Sequence, residues 1–105
     1  ELCGSHMQVS YQYQGKWRIK AISEQVVLVG RPNAQAEVDI DLSPDTTVSR
    51  VHAKIWLADG ACWVEDQGSR YGTQVNNVQI STRTQLREGD QIRVGETTLR
   101  VDAAA

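Results

Sequence analysis

The dipeptide Asp59-Gly60 stands between two stretches of alternating apolar residues, and no other feature constrains the fold as much. Both central residues of a type I′ turn need positive φ, which Asp and Gly tolerate, and such a turn matches the twist of a two-stranded hairpin. Pairing about it sets Ala58 opposite Ala61, Leu57 opposite Cys62, Trp56 opposite Trp63 and Ile55 opposite Val64. The pleat then gives Ile55, Leu57, Cys62 and Val64 one face, predicted to be core, and gives the two tryptophans the other. Cys62 on that core face reads as a small buried hydrophobe.

Similar short stretches recur along the chain. Residues 17, 19 and 21 are apolar on one face of 17–22; 26–30 is a continuous apolar run; Val38, Ile40 and Leu42 alternate with acids. Further alternation covers 52–58, 61–66, 74–76, 91–94 and 97–102, with a second hairpin at Gly95-Glu96 that fits a type II′ turn and sets Ile92 opposite Leu99. Helical periodicity is nearly absent. Many short strands with frequent turns predict an all-β sandwich or barrel.

The 105 residues suit one domain. Residues 1–7 end in Gly4-Ser5-His6-Met7, which reads as the remnant of a cleaved affinity tag, and are set aside. Residues 8–16 read as a polar N-terminal extension that frays, 17–102 as the domain and 103–105 as the start of a tail or linker. A net charge of −2 leaves no electrostatic footprint for nucleic acid, and no apolar run approaches membrane-spanning length. With Cys3 set aside, Cys62 has no disulfide partner. A reducing, cytoplasmic setting and a monomer are the expectations.

The chemistry-bearing residues fall between the strands. Gly30-Arg31, Ser49-Arg50-Val51-His52, the run from Asp66 to Thr73, Asn76-Asn77 and Gly89-Asp90 all lie at or between predicted strand ends. A sandwich gathers such loops at its ends. Arg31, Arg50 and Arg70 offer guanidinium forks matched to phosphate, and Ser49 and Ser69 offer hydroxyl donors. Gly68 and Gly72 permit backbone conformations that aim N–H groups at an anion. Taken singly each arginine reads as a solvated charge; taken together they point to phosphate. No Gly-Lys-Ser/Thr loop for a nucleotide and no metal-spaced cluster is present, so no metal or cofactor is expected. Ser49, His52 and Asp66 are the residue types of a hydrolase triad, but no nucleophile elbow accompanies them, and an enzyme is not expected.

The order Gly-Arg, Ser-Arg-x-His, Asp-x-Gly-Ser-x-x-Gly-Thr-x-Val-Asn, Gly-Asp resembles the forkhead-associated (FHA) family, over about 17–101. The resemblance implies a sandwich of two twisted antiparallel sheets with about eleven strands. It implies recognition of phosphothreonine in a partner protein, downstream of a Ser/Thr kinase, without catalysis. Carried over by position, Arg31, Ser49, Arg50, Ser69, Arg70 and Tyr71 are implied to face the phosphopeptide. Gly30, His52, Gly68, Gly72, Thr73 and Asn76 are implied to support the loops. The family usually has Asn where this chain has Tyr71, although some members carry Tyr-Gly-Thr. That Asn pairs with the peptide backbone through both an acceptor and a donor, whereas Tyr offers one hydroxyl on a rigid ring. Losing such a contact costs about 0.5–1.5 kcal/mol, so a weaker pocket is expected. The competing expectation is phosphate-independent docking or dimerisation on the sheet face around Trp56 and Trp63.

Overall fold

The computed structural model describes residues 7–13, 15–22, 25–31, 38–43 and 45–103. Eleven strands form two packed sheets. The six-stranded sheet comprises β1 (Met7–Tyr13), β2 (Lys16–Ile22), β7 (Thr73–Val75), β8 (Val78–Gln79), β10 (Gln91–Val94) and β11 (Thr97–Ala103), in the order β2-β1-β11-β10-β7-β8. The five-stranded sheet comprises β3 (Val27–Gly30), β4 (Ile40–Asp41), β5 (Val51–Ala58), β6 (Ala61–Asp66) and β9 (Thr84–Leu86), in the order β4-β3-β5-β6-β9. All pairings are antiparallel except β3 with β4, which is parallel and departs from the implied all-antiparallel sheets.

The two hairpins form in the predicted registers. Asp59 and Gly60 adopt φ of 54° and 75°, and Trp56 lies opposite Trp63. At the other turn Gly95 has φ 61° and Ile92 lies opposite Leu99. The core sits between the sheets, where Val9, Val29, Ile55, Val64, Ile92 and Leu99 are fully buried. Each such side chain stabilises by about 1.5–3 kcal/mol relative to exposure. Cys62 is buried among them, and loss of solvation pushes its thiol up to about 11, so it is an inert hydrophobe.

Two expectations are corrected at the N-terminal end. The described residues of 8–16 do not form a fraying extension: β1 pairs with β11 on one side and β2 on the other. Its apolar residues fall at every second position, so Met7, Val9 and Tyr11 enter the core while Gln8, Ser10 and Gln12 lie on the opposite face. Met7, assigned from sequence to the tag remnant, is thus part of the folded sheet; residues 1–6 lie outside the described residues, as do 104 and 105 of the expected tail. The apolar face of β2 turns away from the core, with Trp17 66% and Ile19 63% exposed. β2 closes the edge of its sheet, and its inner face carries Lys16, Arg18 and Lys20 before Ile22 reaches the core. Among the described residues no helix is long and apolar enough to cross a membrane.

Candidate functional site

Arg31, directly after β3, and the loops after β4 and β6 meet at one end of the sandwich, and short contacts explain how. β3 ends in a bulge at Val29 and Gly30. A Cβ on Gly30 would stand 2.2 Å from the carbonyl oxygen of Arg50, so only glycine allows the two segments to touch. The Arg31 amide then donates to the Arg50 carbonyl at 3.1 Å. The Arg70 amide donates to Ser49 Oγ at 3.0 Å. The segments that carry the three arginines are thereby tied together through the Arg50 carbonyl and the Ser49 hydroxyl. Arg50 and Arg70 are exposed, and Arg31 and Ser49 are half-buried.

His52 is the central brace. It is fully buried, its Nδ1 accepts from the Ser49 amide at 3.0 Å, and its Nε2 lies 2.8 Å from the Gly72 carbonyl. The backbone partners assign the Nε2–H tautomer. Both ring nitrogens are engaged by main chain, so His52 contacts neither the Ser49 hydroxyl nor the Asp66 carboxylate, and the hydrolase arrangement is not formed.

Asp66 organises the loop between β6 and β7. Its carboxylate accepts from the amides of Gly68 (3.0 Å) and Ser69 (3.1 Å), from the Ser69 hydroxyl and from the buried Thr73 hydroxyl (2.7 Å). Burial acts against its charge, but the hydrogen bonds from Ser69, Thr73 and Gly68 outweigh burial and hold the carboxyl below its usual range. Gly68 and Gly72 have φ of 76° and 83°, as the turn demands.

These contacts correct part of the sequence assignment. Ser69 donates its proton to Asp66 and accepts from the Gly72 amide at 2.9 Å, so its hydroxyl is committed within the loop. The amides of Gly68 and Gly72 likewise point at internal partners. Ser69 therefore braces the loop through its hydroxyl. Ser49 differs: its oxygen accepts from Arg70, which leaves its own proton to donate. Arg70 stacks its guanidinium 5.4 Å from the centre of the Tyr71 ring, which is 57% exposed. Asn76 lies in the turn after β7 at φ 51°, where it accepts from the Gln91 amide and donates to Asp90, both at 3.0 Å. It secures the scaffold and does not join the loop cluster.

Asp45 is a supporting residue that sequence reasoning missed. It accepts from the Thr47 amide (2.9 Å), the Glu96 amide (2.8 Å) and the Thr97 hydroxyl (2.7 Å), fastening the β4–β5 loop to the β10–β11 turn. Burial again opposes ionisation, and hydrogen bonds led by Thr47 and Thr97 outweigh it, so its pKa is lowered. The local signal was Asp followed two residues later by Thr, an Asx-turn pattern. The β4–β5 loop is thus held from both sides, by His52 and by Asp45.

The tryptophan face is less available than its sequence suggests. Trp56 and Trp63 are half-buried; Lys54 lies 5.5 Å from the Trp56 ring centre and Arg83 lies 5.0 Å from that of Trp63. Trp63 Nε1 also donates to the Ala58 carbonyl at 3.2 Å. No observation favours this face as a docking site.

Comparison with known proteins points the same way as the loop geometry. A family profile described as FHA domain matches residues 27–95. Protein FraH of Nostoc sp. PCC 7120 is 42% identical over 79 residues, covering 70% of this chain and 27% of FraH. The chain spans about a quarter to a half of the length of the curated relatives it matches. Among solved structures, a domain from a study of phosphothreonine-dependent FHA domain interactions superposes with a TM-score of 0.81 at 30% identity, covering 95% of this chain and 98% of that one. The FHA domain of FhaA, in complex with the intracellular domain of another protein, superposes with a TM-score of 0.78 at 30% identity, covering 90% and 98%.

Proposed function

The chain belongs to the FHA family, and from that premise we propose that it binds phosphothreonine in an extended segment of a partner protein. The observation that carries this reading is the state of Ser49. Its oxygen is fixed by the Arg70 amide, so its proton is the loop end's preset neutral donor, and it stands beside the exposed Arg50.

A phosphothreonine carries about 1.5–2 negative charges at neutral pH. Arg50 and Ser49 grip the phosphate, and Arg31 and Arg70 add field or second contacts. Charge-assisted hydrogen bonds of this kind contribute about 1.5–3 kcal/mol each. Because His52, Asp66 and Asp45 brace the β4–β5 and β6–β7 loops beforehand, less ordering of those two loops is left to oppose binding. The peptide still loses freedom, which sets micromolar affinity as the order of magnitude. Tyr71 offers a ring and one hydroxyl to the peptide backbone, a poorer match than a side-chain amide. The partners are substrates of Ser/Thr kinases, met in the cytoplasm, and the domain itself makes and breaks no covalent bond.

Arg50→Ala is the direct test of the pocket. Phosphopeptide affinity falls about tenfold or more, while the melting temperature holds because an exposed arginine contributes little packing. Unchanged affinity in that variant would remove the assignment.

A further inference from the structure

The outer face of the six-stranded sheet is polar except at its edge. Next to β2 it presents Gln8, Ser10 and Gln12 of β1 and Arg100 of β11. On β2 the pattern breaks. Trp17 lies opposite Gln12 and Ile19 opposite Ser10, and these two apolar side chains are 66% and 63% exposed. The other face of β2 carries Lys16, Arg18 and Lys20. Arg18 borders a depression shared with Tyr11, Asp39 and Asp41. Lys16 and Lys20 have no ion-pair partner among the described residues, and no described strand lies beyond β2. Among the described residues the terminal strand therefore has no strand on its outer edge, with large apolar groups on one face and cations on the other.

We propose that the edge of β2 accepts an extended peptide segment of alternating apolar and acidic residues, added as a further strand of the six-stranded sheet. Strand addition supplies affinity through the main chain, and alternate side chains supply selectivity. An added strand places successive side chains on opposite faces. Its apolar set would cover Trp17 and Ile19, and its acidic set would meet Lys16 and Lys20. A partner lying flat on the sheet would meet the polar side chains of β1 and β11, so the position of the apolar pair favours the edge over the face.

A second copy of the chain fits poorly. Antiparallel pairing of two β2 strands about their midpoint, Ile19, would set Arg18 against Lys20 on both sides of it, and like charges directly opposite are unfavourable. Edge lysines commonly discourage strand pairing. Here they exclude a like strand and admit an acidic one, while the exposed Trp17 and Ile19 mark an interaction surface rather than a protected edge.

The inference does not rest on the phosphate reading, and its test separates the two. The probe is an unphosphorylated, end-capped Val-Glu-Val-Glu-Val-Glu-Val peptide, titrated into the whole chain and followed by backbone amide NMR. The expected result is saturable binding with shifts confined to β1 and β2 and none at Ser49 to His52. Lys16→Glu with Lys20→Glu weakens it about tenfold, Trp17→Thr with Ile19→Thr does the same, and Arg50→Ala leaves it unchanged. Melting curves accompany each variant; these positions are at the sheet edge, and the charge reversal removes no apolar packing. Absence of binding, equal binding of the corresponding Val-Lys peptide, shifts centred elsewhere, or self-association through β2 in place of peptide binding would each overturn the proposal.

Discussion

The loop end and the tryptophan face of the five-stranded sheet both join cations to other polar or aromatic groups, yet they leave different things unfinished. On the sheet face, Lys54 covers Trp56 and Arg83 covers Trp63, and the Trp63 N–H already has a carbonyl. At the loop end, internal hydrogen bonds fix the main chain and the Ser49 oxygen and leave the Ser49 proton to donate. His52, Asp66 and Thr73 take up backbone and hydroxyl partners, and so hold the segments that carry Ser49, Arg50 and Arg70. The difference teaches that recognition is read from what remains after internal hydrogen bonds are assigned, not from a count of aromatic or basic residues.

The largest effect that would break this comparison belongs to His52. His52→Ala leaves the Ser49 amide and the Gly72 carbonyl without their partner and opens a cavity, so denaturant unfolding should show a loss of about 3 kcal/mol. An unchanged midpoint would mean that the loops are not held through this ring. Asp66 is next. Asp66→Asn weakens the amide and hydroxyl contacts around it and should lower stability by about 1–2 kcal/mol.

The same carboxylate gives the comparison a pH signature. The folded pKa values of Asp66 and Asp45 lie below the unfolded ones. Their contribution is therefore fully present above the unfolded value, about 3.9, and is lost as pH falls through the depressed folded values. Unfolding free energy measured across acid pH should decline more steeply in the native protein than in an Asp45→Asn, Asp66→Asn double variant. Equal slopes would show that neither carboxylate is specially stabilised in the fold.

Smaller effects sharpen the contrast. Tyr71→Asn should improve phosphopeptide affinity by about 0.5–1.5 kcal/mol, up to about tenfold, by restoring a paired backbone contact. Calorimetric titration reads that change directly, and a loss of affinity would show that the Tyr71 ring itself holds the ligand. Trp56→Thr should leave phosphopeptide affinity within about twofold, since surface changes away from a site act weakly on it. A large loss there would move the site to the sheet face.

Legibility in the sequence followed the range of the interaction. The hairpin from Ile55 to Val64 was readable to the residue because a two-residue turn and period-two alternation fix register locally. The strand β1 was missed because Gln8, Ser10 and Gln12 interrupt its apolar residues and made the stretch read as polar, although Met7, Val9 and Tyr11 keep the period. Alternation on β2 showed an apolar face but not which way it turns, since that depends on the strand closing a sheet edge. At the loop end, the motif carried the cluster of Arg31, Ser49, Arg50 and His52. Sequence does not say which hydrogen bond a hydroxyl makes, so Ser49 and Ser69 looked alike while the fold separates them. Asp45 escaped notice because its partners, Glu96 and Thr97, are 51 and 52 residues away.

The most direct test of the central claim is a titration with a phosphothreonine peptide library beside its phosphoserine and unphosphorylated counterparts. Salt-sensitive binding that favours phosphothreonine is the expected result, because the loop end presents the fixed Ser49 hydroxyl among arginines and the family's members are phosphothreonine-binding modules. Failure of a well-folded sample to bind any phosphorylated pool, or equal binding of the unphosphorylated one, would contradict it.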